Sequence, residues 1–155
     1  MRRRALAGLA VATLACAAPV VAAEYRVTAE PAVILYDGPS ARAKPQFVYG
    51  RDVPVEVLVS VEGWTKVRDL GGTIGWIAAK SLADRRMLQV RVAAADIRVH
   101  ADESAPVAFR AAENLLLELA EPATSAATTA TPGWVKVRHR DGSVGFARIA
   151  QVYGL

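Results

Sequence analysis

Hydrophobic and polar positions alternate along most of this chain with a period of two. Val53, Val55, Val57, Val59 and Val61 alternate with Pro54, Glu56, Leu58 and Ser60, which predicts a half-buried strand. Leu115, Leu117 and Leu119 interleaved with Leu116 and Glu118, and Met87-Leu88-Gln89-Val90-Arg91-Val92, predict further strands. The pairs Gly71-Gly72 and Asp141-Gly142 fit tight hairpin turns, because glycine takes positive φ at no steric cost. Beyond Ala23 no stretch combines helical periodicity with capping residues, and Ala78 to Leu82 has room for one helical turn only. The pattern predicts an all-β chain.

The pattern also repeats. Gly63-Trp64-Thr65-Lys66-Val67-Arg68 through Gly75-Trp76-Ile77 recurs 70 positions later as Gly133-Trp134-Val135-Lys136-Val137-Arg138 through Gly145-Phe146-Ala147. Seven of 15 aligned positions are identical without a gap, against about one expected by chance. Upstream, Phe47 and Phe109, and the valine and leucine strands, correspond at an offset of 62. The surplus of eight falls in the Ala/Thr/Ser/Pro-rich stretch 121–132, which reads as an enlarged surface loop. Two units follow, 24–84 and 87–155, with Asp84-Arg85-Arg86 as the polar junction between them.

The first 23 residues stand outside this pattern. Arg2, Arg3 and Arg4 precede an uncharged run from Ala5 to Ala15, and Val21-Ala22-Ala23 closes it with small residues, the order of a secretory signal peptide cleaved after Ala23. The run is shorter than the roughly 20 apolar residues a bilayer span needs. Leu14-Ala15-Cys16 resembles the end of a bacterial lipobox, but Thr13 stands where that motif has an aliphatic residue. A lipoprotein anchored through Cys16 is therefore the minority expectation beside a soluble periplasmic protein.

Removing this segment changes the electrostatics. It holds three of the 19 Lys and Arg and none of the 15 Asp and Glu, so the formal charge falls from +4 to +1. Net charge then gives no argument for nucleic acid or an anionic membrane as partner. Without Cys16 the chain has no cysteine, which removes disulfides, thiol nucleophiles and thiolate metal sites. His100 and His139 fall in no metal-ligand spacing, no glycine-rich phosphate loop is present, and Asp141 near His139 is proximity in sequence alone. The expectation is a non-enzymatic protein without cofactor or metal.

Ile34-Leu35-Tyr36-Asp37-Gly38-Pro39-Ser40, an alternating valine strand, Gly63-Trp64-Thr65-Lys66-Val67 and Gly75-Trp76-Ile77 closing at Ser81-Leu82 together resemble a bacterial SH3 domain. Residues 97–155 resemble the same pattern. The resemblance implies two tandem small SH3-like β-barrels after a cleaved signal peptide. Cores this small are marginal, and the Arg85-Arg86 junction lets the two barrels share apolar surface. It further implies a shallow aromatic-lined groove, near which it places Tyr36, Tyr49, Trp64 and Trp76. Trp76, following a glycine in a strand, reads as barrel core before it reads as groove.

Strand alternation puts Trp64, Lys66 and Arg68 on one face, an aromatic and basic strip suited to an acidic peptide or a glycan-peptide carboxylate. Trp134, Lys136 and Arg138 are its counterpart. In the second unit Asp102-Glu103-Ser104 replaces Gly38-Pro39-Ser40, which suggests a mainly structural role for that unit. The functions implied are recognition of a peptide, peptidoglycan or envelope protein or, alternatively, assembly by docking or dimerisation.

Overall fold

The computed structural model describes residues 23–120 and 132–155. The leader up to residue 22, Cys16 included, and all but the last residue of the expected loop 121–132 lie outside the described residues. Among the described residues no helix is long and apolar enough to cross a membrane.

The first unit contains β1 (Glu24–Thr28), β2 (Val33–Tyr36), β3 (Pro45–Tyr49), β4 (Pro54–Val61), β5 (Trp64–Arg68), β6 (Ile74–Ala78) and β7 (Leu82–Ala83). The second contains β8 (Met87–Val90), β9 (Ala94–Arg98), β10 (Val107–Ala112), β11 (Leu116–Leu119), β12 (Trp134–Arg138), β13 (Val144–Arg148) and β14 (Val152–Tyr153). Each set forms one seven-stranded antiparallel sheet. The orders, β3-β2-β6-β5-β4-β1-β7 and β10-β9-β13-β12-β11-β8-β14, are the same order moved on by seven strands. The expected helical turn is a 3₁₀ segment, Ala79–Ser81, and a second one, Ile149–Gln151, stands 70 positions on.

The cores obey the two sequence offsets. Val33, Leu35, Tyr49 and Val55 in the first core correspond at 62 to Ala95, Ile97, Ala111 and Leu117 in the second; Val67, Ile77 and Leu82 correspond at 70 to Val137, Ala147 and Val152. Each fully buried Val, Leu or Ile contributes about 1.5–3 kcal/mol by leaving water. Val33, Tyr49 and Ile77 shrink to alanine in the second core, and there Phe109 packs half-buried against it.

Both expected hairpin turns form. Gly72 and Gly142 have φ of 85° and 93°, and Asp69 and His139 each receive the amide of the glycine three residues on.

The valine strand forms with one difference. A bulge between Val57 and Val59 leaves Leu58 unpaired, so Val57 faces Val67 while Val59 faces Lys66. One extra residue reverses the phase of a period-two pattern. Val55 is therefore fully buried, whereas Val59 and Val61 are 45% and 46% exposed.

The two sheets touch at the C-terminus. The Tyr153 ring meets Tyr25 edge-on at 5.1 Å, and its hydroxyl donates to the Arg68 carbonyl at 2.8 Å. Beside it Gly154, at φ 108°, brings its backbone so near that an added Cβ would lie 3.0 Å from Pro54. In the junction Arg85 forms an ion pair with Asp52.

Candidate functional site

Burial along β5 alternates: Thr65 and Val67 point into the core, and Trp64, Lys66 and Arg68 face outward. Register then sets what stands beside them. Trp64 lies opposite Ala78, and Lys66 lies opposite Trp76, which in turn faces Tyr36. The Tyr36 and Trp64 rings meet edge-on at 5.5 Å, a favourable arrangement for two aromatic quadrupoles.

Trp76 is half-buried on this outer face. The expectation of Trp76 as core is corrected: inward positions on β6 belong to Gly75 and Ile77. Gly75 has no room for a side chain, since an added Cβ would approach Leu35 Cγ at 2.6 Å.

Tyr36 and Trp64 wall a groove of about 540 Å³ that also includes Glu30, Ala32, Ala78 and Lys80. Among the described residues no carboxylate forms an ion pair with Lys80 or an ammonium with Glu30. The groove thus combines an aromatic wall with one anionic and one cationic group. Such a site stacks a flat or apolar group while ionic contacts fix its orientation.

The other expected residues divide. Lys66 stays on the same face, its Nζ 5.9 Å from the Trp76 centroid. Arg68 is engaged elsewhere: its Nε and Nη2 reach Glu56 Oε2 at 2.8 and 2.6 Å, and its carbonyl receives the Tyr153 hydroxyl. Tyr49 stands apart from the groove. It is 6% exposed within the core, and its hydroxyl donates to Asp69 at 2.9 Å. Burial first, and then Asp69, raise its pKa well above the usual phenol value.

In the second unit the same strand face is built differently. Trp134 pairs with Arg148 where Trp64 pairs with Ala78. The Arg148 guanidinium lies 4.6 Å from the Trp134 centroid and is held there by an ion pair with Glu103. The guanidinium lies over the indole, and Trp134 is only 8% exposed. Lys136 faces Phe146 across the sheet, and Arg138 lies 3.7 Å from Glu118, the counterpart of the Arg68–Glu56 pair.

Sequence reading missed Glu30, Lys80 and Arg148. The repeat itself carried the signal for Arg148, since the 70-residue offset sets it against Ala78. Glu30 and Lys80 come together with Trp64 through the pairing of β1 with β7, where the Ala29 amide donates to the Ser81 carbonyl, and of β5 with β6, and no local pattern marks them.

Residues 29–84, which form the first unit from the end of β1 to β7, match the family model of the bacterial SH3 domain. No curated protein matches the chain. Among solved structures it is similar to NlpC2 from Trichomonas vaginalis, at 17% identity over 85% of this chain and 48% of that one, with a TM-score of 0.37. NlpC1 from the same organism aligns at 17% identity over 90% of this chain and 48% of that one, with a TM-score of 0.38. An NlpC/P60 family protein from Bacillus cereus aligns at 14% identity over 84% and 56%, also with a TM-score of 0.38. The chain spans about half the length of these structures.

Proposed function

We propose that this chain is an exported, non-catalytic binding module. Its ligand groove is on the first unit between Tyr36 and Trp64, and it takes a short peptide or the peptide-bearing glycan of the cell wall. The observation that carries the reading is the contrast between two equivalent positions. Ala78 leaves the Trp64 groove open, and Arg148, paired with Glu103, covers Trp134. Glu30 and Lys80 match the free amine and carboxylate groups of a wall stem peptide, and the rings match its sugar or apolar faces. Export rests on the three-part order of the N-terminal segment.

The test is a pull-down of residues 24–155 on insoluble peptidoglycan, with Trp64→Ala and Lys80→Gln in parallel. Retention of the parent chain, reduced at least tenfold by Trp64→Ala, is the expected result. Full retention of Trp64→Ala would remove the groove from the reading.

A second reading has its own observation. β3 is an edge strand with Phe47 and Val48 exposed, an arrangement suited to strand addition by a protein partner. Absence of wall binding by the parent chain would favour this docking role in an envelope assembly.

A further inference from the structure

A cleft of about 380 Å³ lies between the junction and the second unit, far in kind from the aromatic groove. It is lined by Arg85 and Arg86 from the junction, by Arg138 and Arg140 from the end of β12 and its turn, and by the carboxylates of Asp52 and Glu118. Met87, Leu116 and Leu119 supply the apolar part of the lining. The junction is tied to this unit, since the Leu119 amide donates to the Arg86 carbonyl at 3.0 Å. Two of the four arginines are compensated, Arg85 by Asp52 and Arg138 by Glu118 at 3.7 Å. Among the described residues Arg86 and Arg140 form no ion pair. A chain of formal charge only +1 beyond its leader therefore places on one cleft two guanidinium groups that no described carboxylate pairs.

We infer that this cleft is a binding site for a phosphomonoester. A carboxylate is satisfied by one bidentate arginine, whereas a phosphomonoester carries a charge of about −1.5 to −2 at pH 7 and three acceptor oxygens. That charge matches the two open arginines, and planar guanidinium forks suit its oxygens. The cleft is larger than one phosphate group, and its apolar lining residues accept the carbon body to which the phosphate is attached. The site shares no residue with the Tyr36–Trp64 groove, so the two readings stand or fall separately.

The experiment is an NMR titration of residues 24–155, which hold every strand of both sheets, with phenyl phosphate and with inorganic phosphate at pH 7.5 and constant ionic strength. Saturable shifts centred on the amides of Arg86, His139 and Arg140 are expected, with phenyl phosphate binding more tightly than inorganic phosphate. Arg86→Gln with Arg140→Gln should weaken binding at least tenfold. Arg42→Gln with Lys44→Gln, which removes the same charge elsewhere on the surface, should change it less than twofold. Equal weakening by both pairs, or shifts that never saturate, would overturn the site. Cosedimentation with vesicles containing phosphatidic acid, beside vesicles of phosphatidylcholine alone, then identifies the source. Sedimentation with the first kind only assigns the phosphate to a lipid headgroup, and saturable binding without sedimentation assigns it to a soluble phosphorylated molecule.

Discussion

Ala78 and Arg148 occupy one register position in two sheets of the same strand order, and their side chains decide what each tryptophan meets. Arg148→Ala should uncover Trp134, read as stronger acrylamide quenching and a red shift of its emission in a Trp64→Phe, Trp76→Phe background. The reciprocal Ala78→Arg should close the first groove and reduce wall retention about as far as Trp64→Ala does. A second residue-scale prediction concerns Asp141. The Ser143 amide and hydroxyl, and after them His139 Nδ1 at 3.0 Å, lower its pKa from 3.8 to about 2. A carboxyl whose pKa is depressed by folding stabilises the fold above its unfolded value and loses that contribution as pH falls through the folded one. The turn 139–143 should therefore hold its full support above about pH 4 and lose it towards pH 2, seen as a carboxyl ¹³C titration centred near 2.

At the scale of elements, two glycines set how closely strands cross. Gly75 on β6 and Gly145 on β13 stand at equivalent places. A Cβ on Gly75 would meet Leu35 Cγ at 2.6 Å and the Tyr36 carbonyl at 2.8 Å; on Gly145 it would meet Ile97 Cγ2 at 2.7 Å and the Arg98 carbonyl at 2.8 Å. Overpacking of this kind costs about 1–3 kcal/mol. Gly75→Ala and Gly145→Ala should each lower stability by that amount in urea unfolding, while Gly50→Ala, with nothing within 4 Å of its Cβ, should cost less than about 1 kcal/mol. The β4 bulge acts on the same scale. Strand existence and the inward place of Val55 were legible from the valine alternation, but the outward turn of Val59 and Val61 was not. A bulge is decided by what the partner strand must accommodate, and the alternation contains no mark of it.

For the whole molecule, the C-terminal segment joins the two sheets. Tyr153 meets Tyr25 edge-on and donates to the Arg68 carbonyl, so the arginine expected in a ligand strip helps to form the contact between units. Tyr153→Phe keeps the ring and removes the hydrogen bond, a loss of about 0.5–1.5 kcal/mol. Tyr153→Ala also removes the ring contact and should separate the unfolding of the two units, read as a second transition in calorimetry. The duplicated pattern predicted two units, and two sheets form. The particular residues joining them come from distant parts of the chain, 85 positions apart for Tyr153 and Arg68, and no local spacing relates them.

The sequence by itself determined the all-β character, the two hairpin turns, the outward row Trp64-Lys66-Arg68 and the two offsets that the cores follow. Each depends on neighbours within one strand or turn, or on copying of a segment, and the period of two carries that directly. Only the tertiary structure decided that Tyr49 is core, that Trp76 faces outward, that Trp134 is covered by Arg148, and that four arginines meet at one cleft. These depend on cross-strand register and on the path of the junction. Such features follow from which packing buries the most apolar surface with every backbone group paired, a condition on the whole chain that no window of residues contains.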